Sequence, residues 1–161
     1  MTKTYQLAKE FKRKYPLTIA WRIKSHCKVI DKHLNPGEEP LYVFFGQKNR
    51  SSLDFTNTNI VVLTNKRLLI ATKRIVFGYF FTTVTPEMFN DLTVFQGMFW
   101  GRISIDTVKE EVRLSNIAKE ALDEIETKIT EFMFEEKKKC SHTKEETENT
   151  KKKKNSKKSE K

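Results

Sequence analysis

Five cations stand out among the residues able to do chemistry: Lys48 and Arg50, Lys73 and Arg74, and Lys109. Arginine offers a forked donor set matched to phosphate oxygens, and lysine a compact point charge. Such residues bind anions rather than transform them. The signatures of transformation do not occur: no phosphate-binding glycine loop, no G-x-S-x-G and no H-E-x-x-H. Five glycines in the whole chain exclude glycine-rich loops. The neighbouring acids Glu110 and Glu111 fall in an expected turn, with no histidine or apolar pocket beside them to shift a pKa. His26 and Cys27 are adjacent, His33 follows, and Cys140 and His142 lie near the C-terminus. None of these forms a C-x-x-C or H-x-x-x-H pair, so no metal is expected. Cys27 falls on an apolar stripe and reads as core. The expectation is a protein that is not an enzyme and carries no cofactor.

The elements that must position these residues follow from charge and periodicity. The chain has 161 residues and a formal charge of +10, which points to an anionic partner. Residues 1–35 carry +7, residues 36–135 carry −3 and residues 136–161 carry +6. The basicity therefore belongs to the two ends, which argues against a nucleic-acid reader in the middle. Two distant cysteines suit a reducing cytoplasm better than a disulfide framework. Met1 to Arg13 lacks the apolar segment of a signal peptide, and no apolar run approaches the roughly 20 residues of a membrane span.

Three regions are expected. Residues 1–35 read as a basic helical segment, with Tyr5, Ala8, Phe11 and Tyr15 at helical spacing, an interruption at Pro16, and a second stripe of Ile19, Ile23, Cys27 and Ile30. Residues 36–138 read as the domain proper. "LYVFF", the hairpin "NIVVLTNKRLLIATK" with Asn65 and Lys66 at its turn, "IVFGYFFTTVT", "LTVFQGMFWG", "RISIDT" and "VRL" make about seven short antiparallel strands, a sandwich or small barrel. Ala118, Ala121, Leu122, Ile125, Ile129, Phe132 and Met133 then predict one amphipathic helix plugging an open side, capped by Ser115 or Asn116. Residues 139–161 contain almost nothing to bury and are expected to be a disordered Lys-rich tail.

Seven antiparallel strands and one C-terminal amphipathic helix resemble the pleckstrin homology (PH) fold, an α+β class. "NPGEE" before "PLYVFFGQ", "LTNKRLLIATK", "VFQGMFWGRISID" and "VRLSN" leading into the helix are more narrowly similar to bacterial PH-like domains of the YokE type, over roughly residues 35–135. The resemblance implies a binding and scaffolding module. It also implies that the first, third and sixth inter-strand loops share a rim, where Lys48, Arg50, Lys73, Arg74 and Lys109 would converge as an anion or lipid-head site. Phe99 and Trp100 are adjacent and face opposite sides of a strand, so at least one is a candidate anchor for a partner or a membrane. The leading expectation is a cytoplasmic interaction module that binds a protein partner or a second copy of itself, through the rim or an open sheet edge. The alternative is a peripheral binder of anionic lipid head groups at the inner membrane face, using the rim and the basic ends. A third is weak, salt-sensitive association of the tail with nucleic acid.

Overall fold

The computed structural model describes residues 1–48 and 57–156, with side chains through residue 139. Seven strands are present: β1 (Pro40–Gln47), β2 (Thr58–Thr64), β3 (Leu68–Lys73), β4 (Tyr79–Val84), β5 (Phe89–Gln96), β6 (Trp100–Thr107) and β7 (Glu111–Ala118). They form one antiparallel sheet in the order β4-β3-β2-β1-β7-β6-β5, curled into a half-barrel. Helices α1 (Lys3–Lys14) and α2 (Ile23–His33) precede it and α3 (Leu122–Ser156) follows. This is the PH-like architecture that the strand pattern and the single amphipathic helix led to.

β2 shows why the sequence reads as a continuous apolar run rather than an alternating one. All seven of its residues are buried. One face looks into the barrel and the other is covered by α2, which packs on β2 and β3, so both faces must be apolar. The register places Val61 opposite Ile70 and Val62 opposite Leu69. α3 seals the interior with Leu122, Ile125, Ile129 and Met133, none more than 1% exposed.

The two N-terminal helices are built into the domain. α1 buries Ala8 and Phe11, and α2 buries Cys27, Val29 and Ile30. The segment between them turns at Pro16 and Leu17 and is irregular up to Arg22, not helical as the Ile19–Ile23 spacing suggested. Its backbone has a better use: Ile19 N–H donates to Asn116 C=O at 3.0 Å, Ile19 C=O accepts from Gln47 Nε2 at 3.0 Å, and Trp21 N–H donates to Thr58 Oγ1 at 2.9 Å. Thr18 Oγ1 accepts from Ala118 N–H at 3.0 Å. The segment thus ties β1, β2 and β7 together.

Three further expectations are corrected. Ile75 to Phe77 do not belong to a strand; they form the loop between β3 and β4. Ser115 and Asn116 do not cap a helix. Pairing of Gly101 with Ile117 and of Trp100 with Ala118 carries β7 through Ala118, Asn116 takes a left-handed φ of 58°, and a 3₁₀ turn at Lys119–Ala121 leads into α3. The backbone of α3 also runs on to Ser156, across the boundary that composition placed at 138/139. Lysine and glutamate are good helix formers, and extending a helix whose first turns are already fixed avoids the cost of nucleation.

One buried contact makes the fold sensitive to acid. His26, on α2, is 3% exposed and its Nδ1 accepts the Lys73 N–H at 2.8 Å. Burial, reinforced by the nearby Arg22 charge, pushes the imidazole down from 6.5 to about 4. The unfolded chain takes up a proton near pH 6.5 that the native chain refuses until about pH 4, so stability falls as pH drops through that window, by ~3 kcal/mol at full extent. Urea unfolding between neutral and mildly acidic pH checks this. His26→Asn, whose Oδ1 stands in for Nδ1 as acceptor, should flatten the slope; an unchanged slope would place the proton uptake elsewhere.

Candidate functional site

The end of the half-barrel that carries the β1–β2, β3–β4 and β6–β7 connections is where the expected rim residues lie. Lys48, at the end of β1, donates its N–H to Asn57 C=O at 3.1 Å and lines a cavity of about 430 Å³ with Asn57, Thr72, Phe80 and Glu110. Its floor is Ile70 and Val112. Lys73 and Arg74 line an adjoining hollow that shares Asn57, Thr72 and Phe80 with the first. Lys109 is exposed in the β6–β7 turn, its N–H donating to Thr107 Oγ1 at 3.2 Å; its neighbour Glu110, not Lys109 itself, faces the cavity. Arg50 lies outside the described residues. The structure thus brings Lys48, Lys73 and Arg74 to neighbouring walls and sets an acid among them.

A more prominent feature escaped the sequence pattern. In "KRIVFG" the chain leaves β3 at Lys73, and Arg74 N–H donates to Gly78 C=O at 3.2 Å, closing a tight loop. Gly78 has φ +78°, a conformation that costs glycine nothing and most residues about 1 kcal/mol. The loop holds Ile75, Val76 and Phe77 in solvent, 72%, 74% and 82% exposed. Phe80 stands beside them, 63% exposed, with the Arg74 guanidinium 5.5 Å from its ring centre. Arg22 reaches the same place from the α1–α2 segment, and its neighbour Trp21 is 60% exposed. Arg22 Nη1 donates to Arg74 C=O at 3.2 Å, and Arg22 holds a left-handed φ of 52°. Consecutive apolar residues closed by Lys-Arg before and Gly after were the available signal.

Phe99 and Trp100 sit at the opposite hairpin, β5–β6, where both are partly exposed, at 55% and 42%. Their rings meet edge-on with centres 6.0 Å apart. Trp100 Nε1 donates to Leu17 C=O at 2.8 Å, and Phe99 C=O accepts from Lys119 N–H at 3.2 Å. The α1–α2 segment therefore touches the β5–β6 hairpin at Leu17 and the β3–β4 loop at Arg22. Five residues span at most about 18 Å, so the two apolar tips are held in one frame.

Cys27 is 1% exposed, and burial, helped by Asp31, pushes its thiol up to about 12, so it is not a nucleophile. Among the described residues no group of three or more His, Cys, Asp or Glu is placed to hold a metal ion, and no helix is long and apolar enough to cross a membrane.

Two solved structures are similar: a pleckstrin homology domain from Shewanella amazonensis SB2B, at 16% identity over 68% of this chain and 85% of that one with a TM-score of 0.40, and a DUF1696-family protein with a pleckstrin-homology domain from Shewanella loihica PV-4, at 14% identity over 71% and 92% with a TM-score of 0.44. No curated protein matches the chain. The family described as "Bacterial PH domain" matches residues 34–131, a span that takes in all seven strands and the buried first turns of α3 and leaves α1 and α2 outside. It does not reach the narrower YokE-type grouping. With well over half its length matched, the chain belongs to the bacterial PH domain family.

Proposed function

We propose that the chain is a non-enzymatic interaction module that docks through the end of the half-barrel carrying the β3–β4 loop. The observation that carries this reading is the exposure of Ile75, Val76 and Phe77 in one closed loop. Each such side chain gains roughly 1.5–3 kcal/mol when fully buried, so three together store enough affinity for a specific contact. The flanking Lys73 and Arg74, with Lys48 close by, give the contact a preference for negative charge. A photoreactive benzoylphenylalanine at position 77, with a control at position 66 on the opposite β2–β3 turn, tests it in cells. Adducts at 77 and none at 66 are expected. Absence of any adduct at 77 would remove the loop as the docking surface.

A second reading is self-association along the sheet. β4 and β5 are the two outer strands and, among the described residues, have no partner on their outer edges, and unpaired edges accept further strands. Sedimentation across a wide concentration range decides it: a single monomeric species throughout would dismiss strand addition.

A further inference from the structure

We infer that Trp21, Arg22, Arg74 and the Ile75–Phe77 loop form one face that inserts into the interfacial layer of an anionic lipid bilayer. The inference rests on the reading that the β3–β4 end is the docking surface, and adds what docks there. The face is also composite. Trp21 and Arg22 come from the segment outside the family-matched span, while the loop comes from inside it.

Exposure is the first argument. The loop closes on itself through Arg74 and Gly78 and leaves Ile75, Val76 and Phe77 72%, 74% and 82% exposed, around a hollow they share with Lys73, Arg74 and Phe80. Three apolar side chains held in solvent beside cations are what the interfacial layer of a bilayer accepts. Layering is the second. Apolar side chains stand outermost, an aromatic residue flanks them, and the cations Lys73, Arg74 and Arg22 lie at the base. That order reproduces the sequence acyl chain, interface, phosphate across a leaflet, where Trp and Tyr favour the interface and each cation near an anionic surface adds attraction. Charge is the third. From Phe55 to Pro86 the chain contains no Asp or Glu and four cations. None of Arg22, Lys73 and Arg74 is held in an ion pair among the described residues. Among the described residues the acid lining the cavity at this end is Glu110.

Arg22 adds to this. Its backbone is left-handed, a conformation that would suit glycine better, and its Nη1 donates to Arg74 C=O at 3.2 Å, so a cation is held at the base of the loop.

The test uses the full chain with vesicles of phosphatidylcholine alone and of phosphatidylcholine with phosphatidylglycerol, at low and high salt. Trp21 and Trp100 are the only tryptophans, so in a Trp100→Phe background the emission reports Trp21 alone. A blue shift and co-sedimentation with anionic vesicles are expected, weakening with salt, with no binding to neutral ones. Phe77→Ser should weaken partitioning at least about tenfold. Arg22→Gly should weaken it about fivefold while leaving the melting temperature unchanged or raised. Anionic binding undiminished in Phe77→Ser would assign the membrane contact to the basic ends and overturn the inference. So would vesicles ignored by the unmodified chain while position 77 still forms adducts with a protein; in that case the docking surface stands and its occupant is protein.

Discussion

Replacing Arg67 with alanine is expected to cost the domain about 3–5 kcal/mol, because it strands a buried carboxylate. The Glu38 side chain is fully buried and Arg67 is 18% exposed. Arg67 grips it as a fork, Nε to Oε1 at 2.9 Å and Nη2 to Oε2 at 3.0 Å. The same guanidinium donates to His33 C=O and Thr83 Oγ1, pinning the end of α2 and the edge strand β4 to the β2–β3 turn. Thr64 Oγ1 and Asn35 N–H donate to the same carboxylate at 2.8 and 2.9 Å, but neither brings a charge. Burial alone would raise the Glu38 pKa; Arg67, the Asn35 N–H and the Thr64 hydroxyl outweigh it and hold the group below its ordinary 4.5. The pair's stabilisation is therefore complete above pH 4.5 and is lost as pH falls below it. In Arg67→Ala the burial effect loses its strongest opponent and Glu38 takes a proton more readily, so the deficit should shrink on acidification. Denaturant unfolding at neutral and acidic pH measures both. The double variant Glu38→Leu, Arg67→Met should recover most of the loss, since an apolar pair of similar volume removes the buried charge with its partner. A loss below about 1 kcal/mol in Arg67→Ala would mean that water reaches Glu38 and the fork is ornamental.

That clamp was not legible beforehand. "NPGEE" and "TNKRL" read as a breaker and a hairpin turn, and so they are. Nothing in their spacing says that the glutamate of one reaches the arginine of the other across 29 residues of chain. Patterns of local period give elements, and the seven strands and the α3 stripe followed from them. Contacts between distant segments depend on how the sheet curls, which local period does not encode. The β3–β4 loop failed for a different reason. Ile, Val and Phe are strand formers by propensity, so "IVFGYFF" reads as one strand. The glycine at φ +78° and the Arg74–Gly78 closure turn the first three of its residues out of the sheet. Local preference and local geometry disagree there, and such disagreement tends to mark a working surface. Phe99 and Trp100 do not face opposite sides of a strand as adjacency suggested, because Phe99 lies in the β5–β6 turn, β6 begins at Trp100, and the two rings meet edge-on.

Phe11→Ala is expected to cost about 3–5 kcal/mol, which would make the N-terminal helices a structural part of a domain whose family match begins only at residue 34. Phe11 is 4% exposed. Its ring lies 5.0 Å from Tyr15, 6.1 Å from Phe45, 6.2 Å from Tyr42 and 6.5 Å from Phe44, centre to centre. The Tyr42 and Phe44 contacts belong to β1, so truncation opens a cavity between the helix and the sheet rather than at a surface. The effect should extend beyond α1. The segment that follows it carries the bonds to Asn116, Gln47 and Thr58, and Trp21 and Arg22 lie at its far end beside the β3–β4 loop. Loosening α1 should therefore raise hydrogen exchange at Ile19 and Trp21 as well as at α1, while the β5–β6 pairing stays protected. Phe11→Leu, which keeps most of the volume, should cost less than about 1.5 kcal/mol and leave exchange unchanged. If Phe11→Ala unfolds at nearly the same denaturant concentration as the unmodified chain, the helices lie on the sheet without supporting it, and the surface they share with the β3–β4 loop loses its fixed geometry.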